Sequence, residues 1–191
     1  ETPHAEHIAW LAASGVSKGW ENGDGSYSFR PYTEVARCDM AAFLYRLAGS
    51  PVFKPTAEQR AAFSDVDEGT PHAREVWWLA AQGISAGWTE ADGTKTFRPY
   101  ETVKRCDMAA FLNRLAGNAG KPAGAGSPFA DVVDTTPHRA AVLWLASNEV
   151  SKGWAEPNGT MTFRPYETVK RADMAAFLHR MDEKGLVGEA R

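Results

Sequence analysis

The sequence predicts a mainly α-helical fold of three helix–loop–helix repeats. Two observations carry this. Blocks of sequence recur through nearly the whole 191-residue chain, and apolar residues fall at helical spacing on both sides of a turn-rich loop in every copy. His4, His72 and His138 mark equivalent positions, so the spacing is 68 residues and then 66. Gly15-Val16-Ser17-Lys18-Gly19-Trp20 recurs as Gly83-Ile84-Ser85-Ala86-Gly87-Trp88 and as Glu149-Val150-Ser151-Lys152-Gly153-Trp154. Phe29-Arg30-Pro31-Tyr32 recurs at Phe97 and Phe163. Arg37-Cys38-Asp39-Met40-Ala41-Ala42-Phe43-Leu44 recurs from Arg105 and, with Ala172 in place of cysteine, from Arg171.

The first helix of a copy is expected to open at Thr-Pro, with Thr70 as N-cap and Pro71 at the first helical position; Thr2-Pro3 and Thr136-Pro137 repeat the signal. Val76, Leu79 and Ala80 and their equivalents give it an apolar face. Gly15 and Gly83 should end two of these helices; Glu149 stands at the third stop, which is therefore expected to differ. The second helix carries Met40, Phe43, Leu44 and Leu47, repeated as Met108, Phe111, Leu112 and Leu115 and as Met174, Phe177, Leu178 and Met181. Ala41 and Ala42 widen that face. One helix pair alone would bury too little apolar surface to be stable, so the three pairs should share one core, their second helices meeting near a common axis. Between the helices, Asn22-Gly23, Asp92-Gly93 and Asn158-Gly159 signal a short hairpin or tight loop.

The copies divide the chain into repeat 1 over 1–48, a linker over 49–62, repeat 2 over 63–116, a Gly/Ala/Pro linker over 117–128, repeat 3 over 129–183 and a tail over 184–191. Phe63-Ser64-Asp65 and Phe129-Ala130-Asp131 open copies two and three. Copy one lacks that opening, so the expectation is a chain that starts inside its first repeat, as a fragment or a mature form.

A net charge of −3, with Lys and Arg dispersed, argues against a nucleic-acid partner. No apolar run approaches the roughly 20 residues that cross a bilayer, so no membrane partner is expected. No nucleophile, base and orienting acid break the threefold repetition, so no enzyme, catalytic residue or cofactor is expected. His4, His72 and His138 have no His or Cys neighbours at ligand spacing, so no metal is expected either.

Together these motifs resemble the S-layer homology (SLH) repeat of bacterial cell-surface proteins. That repeat runs from Phe-x-Asp through a helix to Gly-Ile-x-x-Gly-aromatic, then Asp-Gly-Thr and Phe-x-Pro, to a Thr-Arg-Ala-Glu motif opening the last helix. The resemblance covers nearly the whole chain. It implies a pseudo-threefold spindle around a central three-helix bundle, in an extracellular, monomeric module of the cell wall or cell surface. It also implies non-covalent anchoring to an anionic secondary cell-wall polysaccharide, often bearing a pyruvate ketal, in grooves between repeats. The alternative is a protein-interaction module on the same scaffold. One departure stands out. The family's Thr is lost in every copy, where Ala36, Lys104 and Lys170 precede the arginine, and the acid is Asp39, Asp107 or Asp173. Thr33, Thr102 or Thr168 could then cap the helix earlier.

Arg37, Arg105 and Arg171 sit at helix N-termini, where a cation gains nothing from the helix dipole. Beside free backbone N–H groups they suit a ligand carboxylate; a structural pairing with Asp39, Asp107, Asp173, Asp65 or Asp131 is the other reading. Trp20, Trp88 and Trp154 offer a flat face to a sugar ring or else plug the gap between loop and helix. Arg30, Arg98 and Arg164, with Lys104 and Lys170, would focus an anion, or are solvated surface charge. Cys38 and Cys106 occupy equivalent positions and could bridge if those positions approach an axis. A buried free thiol that packs like alanine is the other reading.

Overall fold

The computed structural model describes residues 2–117 and 126–187. In chain order its elements are α1 (Ala5–Ala13), β1 (Trp20–Glu21), β2 (Tyr27–Ser28), α2 (Arg37–Leu47), α3 (Ala57–Arg60), α4 (Ala73–Ala81), β3 (Trp88–Thr89), β4 (Lys95–Thr96), α5 (Arg105–Leu115), α6 (Arg139–Ser147), β5 (Trp154–Ala155), β6 (Met161–Thr162) and α7 (Arg171–Glu183). The fold is mainly α, with an antiparallel hairpin of two-residue strands at each Asn/Asp-Gly turn. Most of the 117–128 linker and the last four residues of the 184–191 tail lie outside the described residues. The 49–62 segment is not plain linker. Thr56 and Gln59 form a capping box that starts the one-turn helix α3, a Thr-x-x-Gln signal present in the sequence.

The first helices begin later than Thr-Pro suggests. Their N-caps are His4, His72 and His138, each in the left-handed conformation at φ 56–58°. Thr70 serves the turn before the helix instead: its hydroxyl accepts the Asp67 N–H at 3.1 Å and its carbonyl accepts that of Ala73. At the other end Gly15 and Gly83 adopt φ 75° and 68°, as their position requires. The third stop does not differ in geometry, because Glu149 takes the same conformation at φ 55° and pairs with Lys184 at 3.0 Å.

The second helices also depart from expectation. They start at Arg37, Arg105 and Arg171, no side chain caps them, and Thr33, Thr102 and Thr168 do not extend them. Their first N–H groups are bonded by the neighbouring copy's backbone. Arg37 N–H donates to Glu101 O, Arg105 N–H to Glu167 O and Arg171 N–H to Thr33 O, each at 2.9 Å. Cys38, Cys106 and Ala172 donate likewise to Pro99, Pro165 and Pro31. This satisfies donors that a helix start otherwise leaves open, and it removes them from any ligand.

Three buried valines close a ring between copies. Val35 N–H donates to Val169 O, Val169 to Val103 and Val103 to Val35, at 2.9–3.0 Å. All three side chains are fully buried. Helix packing follows the same order: α2 lies against α4, α5 against α6, and α7 against α1, so each second helix pairs with the next copy's first helix. Met40, Met108, Met174, Leu44, Leu112 and Leu178 are fully buried in one continuous core.

The α7–α1 contact includes two histidines, His7 and His179, that have no histidine counterpart in the other copies. His7 Nδ1 lies 2.7 Å from His179 Nδ1, and Trp10 stacks on the His179 ring with centroids 4.5 Å apart. Burial first, then the positive Arg180 and the neighbouring His179, hold the His7 pKa below its usual value; Glu6 opposes this. A base whose pKa is depressed on folding stabilises the fold while neutral. That contribution is complete above the unfolded-state value of about 6.5 and is lost as pH falls towards the lower native value. The urea midpoint should therefore drop more between pH 7.5 and pH 5 in the native chain than in His7→Gln. Parallel pH profiles for the two proteins would remove His7 as the cause.

Candidate functional site

The junctions between copies are grooved. Beside Trp20, a cleft of about 160 Å³ is lined by the loop from Ser17 to Trp20, by Asp39, Phe43 and Arg46 of α2, by Arg171 of α7, and by His72. All three copies contribute to it. The matching cleft beside Trp154, about 130 Å³, takes its loop from Ser151 to Trp154, with Asp173, Phe177 and Arg180 of α7, Arg105 of α5, and His4. Around Trp88 the same contacts recur between Arg37, Asp107, Phe111, Arg114 and His138. Phe43, Phe111 and Phe177 thus lie under the groove arginines as well as in the core.

Arg37, Arg105 and Arg171 form the groove floors and are 2–4% exposed. Each donates Nε–H to a carbonyl of another copy: Arg37 to Phe97 and Arg105 to Phe163 at 2.7 Å, Arg171 to Phe29 at 2.8 Å. Burial pushes all three guanidinium pKa values down to about 10, against the pull of Asp107, Asp173 and Asp39 respectively. They remain charged at neutral pH. The sequence offered ligand binding and structural pairing as alternatives for these arginines, and a structural role is present in part. The carboxylate partner lies in the next copy, with Arg105 Nη1 3.8 Å from Asp173. That distance is an ion pair without a hydrogen bond, and Arg105 Nη1 is a buried nitrogen with no hydrogen-bond partner among the described residues.

The same aspartates meet the N-cap histidines: His4 with Asp173 at 3.5 Å, His72 with Asp39 at 3.6 Å and His138 with Asp107 at 3.5 Å. Burial would raise the Asp107 pKa, but His138 and Arg37 outweigh it and the net shift is downward. Each of the three histidines meets a different aspartate. No group of three or more metal-ligating side chains occurs among the described residues.

Each loop tryptophan lies under two guanidinium groups. Arg171 and Arg30 sit 4.0 and 4.6 Å from the Trp20 ring, Arg37 and Arg98 4.1 and 4.6 Å from Trp88, and Arg105 and Arg164 4.0 and 4.8 Å from Trp154. These cation–π contacts already use ring surface that a sugar would need. Arg98 and Arg164 are further paired with Glu90 and Glu156 at 3.1 and 3.0 Å, so much of their charge is met within the hairpin. Their left-handed backbone is held by Asp65 and Asp131, whose carboxylates accept the N–H groups of Phe97 with Arg98 and of Phe163 with Arg164.

Lys104 and Lys170 are N-cap residues and do not line the clefts described for Trp20 and Trp154. Lys170 pairs with Glu34 at 2.9 Å. The lysines that do line those two grooves are Lys18 and Lys152, two residues before the tryptophan. Both are visible in the repeat alignment, which differs there only by Ala86.

Cys38 and Cys106 are free and buried; the bridge is not formed in this structure. Each thiol belongs to a different junction, since Cys38 N–H bonds Pro99 and Cys106 N–H bonds Pro165, while valines occupy the ring where copies meet. Burial pushes both thiols up to about 11, so little thiolate exists at neutral pH. The folded protein should react slowly with a thiol reagent and expose two thiols per chain in denaturant; none in unreduced, unfolded protein would restore the bridge.

Residues 128–175 match the model of the S-layer homology domain. A cellulosome-anchoring protein of Acetivibrio thermocellus is 23% identical over 185 residues, covering 97% of this chain and 40% of that protein. Cell surface glycoprotein 1 of the same organism is 26% identical over 188 residues, covering 94% of this chain and 7% of that protein. The chain thus spans less than half the length of either relative.

Proposed function

We propose that the whole chain is a non-catalytic, monomeric anchoring module of the cell surface; the match of residues 128–175 to the S-layer homology domain model and the similarity to a cellulosome-anchoring protein support this reading. Its three copies, at the boundaries read from the repeat, form a pseudo-threefold spindle that binds an anionic secondary cell-wall polysaccharide in the grooves. The ring of Val35, Val103 and Val169 and the cyclic helix pairing support the spindle. The carrying observation for binding is the groove floor: a buried guanidinium whose charge is only loosely met, with Arg105 Nη1 lacking a hydrogen-bond partner among the described residues. A buried polar nitrogen without a partner is costly, and an arriving carboxylate relieves that cost.

The clefts are smaller than the roughly 300–1,000 Å³ of drug-sized pockets, which suits one terminal acidic sugar rather than a long segment. Sedimentation with purified cell wall tests the proposal. The chain should pellet with intact wall and stay in solution once the non-peptidoglycan polymer has been stripped. Equal pelleting with stripped wall would refute glycan anchoring and favour a protein partner or peptidoglycan itself.

A further inference from the structure

Compared position by position, the grooves differ at one lining residue. Every groove has the loop serine, glycine and tryptophan, the helix aspartate, phenylalanine and arginine, the floor arginine and the histidine. Between serine and glycine stand Lys18 and Lys152 in two of them and Ala86 in the third.

The other groove cations are engaged. Arg46, Arg114 and Arg180 donate to the carbonyls of Val16, Ile84 and Val150 at 3.1–3.2 Å. The floor arginines are buried, with Nε on a carbonyl. Lys18 and Lys152 are exposed, and among the described residues neither makes a hydrogen bond or a salt bridge. Each therefore offers an exposed ammonium at the mouth of its cleft, with the Glu149 carboxylate in the surroundings of Lys152. The Trp88 groove sets two arginines against Asp107, whereas each of the others adds a third cation against its aspartate.

We infer that the three grooves are unequal: those beside Trp20 and Trp154 hold a carboxylate-bearing sugar, while the one beside Trp88 binds it weakly because Ala86 supplies no ammonium. This rests on the function proposed above. The lysine is the specificity-determining residue, and the buried floor arginine is common to all three sites. A charge-assisted contact from a flexible ammonium can close over a ligand carboxylate after it meets the floor, so its loss weakens binding without disturbing the fold.

Calorimetric titration with short oligosaccharides, cut from the wall polysaccharide so that each ends in one acidic sugar, decides this. The native chain should titrate as two sites, and Ala86→Lys as three. Ala86→Gln, which adds length without charge, should stay at two. The pair Lys18→Ala and Lys152→Ala should weaken binding about tenfold or more at an unchanged melting temperature, as expected for exposed side chains. Three equal sites in the native chain, or two sites in Ala86→Lys, would overturn the inference alone. No binding to any variant would overturn it together with the function on which it rests.

Discussion

Replacing Arg105 and Arg171 with alanine is expected to release the protein from the cell wall and, at the same time, to lower its stability. The sequence alone suggests that these residues can be removed at the expense of ligand only, since helix N-termini are normally at the surface. Their burial changes that expectation. Truncating Arg105 leaves the Phe163 carbonyl without its 2.7 Å donor, uncovers the Trp154 ring and strips Asp173 of its arginine partner. Losing one member of such a buried set costs about 2–4 kcal/mol. Arg171 lies in a different groove, so the two losses should roughly add. For a chain of this size each kcal/mol corresponds to about 2–4 °C in Tm.

Loss of pelleting by the alanine variants could then reflect partial unfolding, so the conservative variants carry the decision. Arg105→Lys and Arg171→Lys keep the charge but lose the planar fork that spans carbonyl and ligand. They should remain folded at the assay temperature and still bind wall about tenfold or more weakly. If the lysine variants melt lower yet pellet as the native chain does, the arginines are structural and the ligand is held elsewhere.

What was legible in the sequence was whatever the chain repeats or decides locally. The three copies, the hairpins at Asn/Asp-Gly, the stops at Gly15 and Gly83 and the apolar stripe through Met40 and Leu44 all follow from residue type and spacing. The misses lie where one copy meets another. Thr-Pro looks like a helix start, yet His72 is the N-cap, and its ring lies 3.6 Å from Asp39 across the junction. The α2 start has no capping side chain because backbone carbonyls of Glu101 and Pro99 take its N–H groups, and no side-chain pattern announces such a bond. Val35 could have been suspected from Val103 and Val169 at the same place in each copy. Lys104 and Lys170 neighbour the floor arginines in sequence but stand at the N-caps, outside the lining of the Trp20 and Trp154 clefts, which instead includes Lys18 and Lys152 from a separate loop.

The largest single-site effect on the fold is expected at Gly87 and Gly153. Both have left-handed backbones, at φ 65° and 69°, where any L side chain is strained by about 1–2 kcal/mol. Space adds to that. A Cβ on Gly153 would fall 2.5 Å from the Phe129 ring and 2.6 Å from the Thr162 carbonyl; on Gly87 it would strike Phe63 and the Thr96 carbonyl. Neither obstacle is the free end of a flexible side chain. The phenylalanines are 3–4% exposed and pack against Phe97 and Phe163, and the carbonyls belong to β4 and β6. Moving them shifts the hairpin that carries Trp88 or Trp154, so groove and core are disturbed together. Gly87→Ala and Gly153→Ala should each cost about 3–5 kcal/mol, combining backbone strain with overpacking. Gly93→Ala separates the two contributions. It has φ 85° with nothing near its Cβ, and should cost only the backbone share of about 1–2 kcal/mol. Urea unfolding of the three variants measures this directly. Equal losses at all three positions would mean that the close approach of Phe63 and Phe129 to the loop glycines carries no energy of its own.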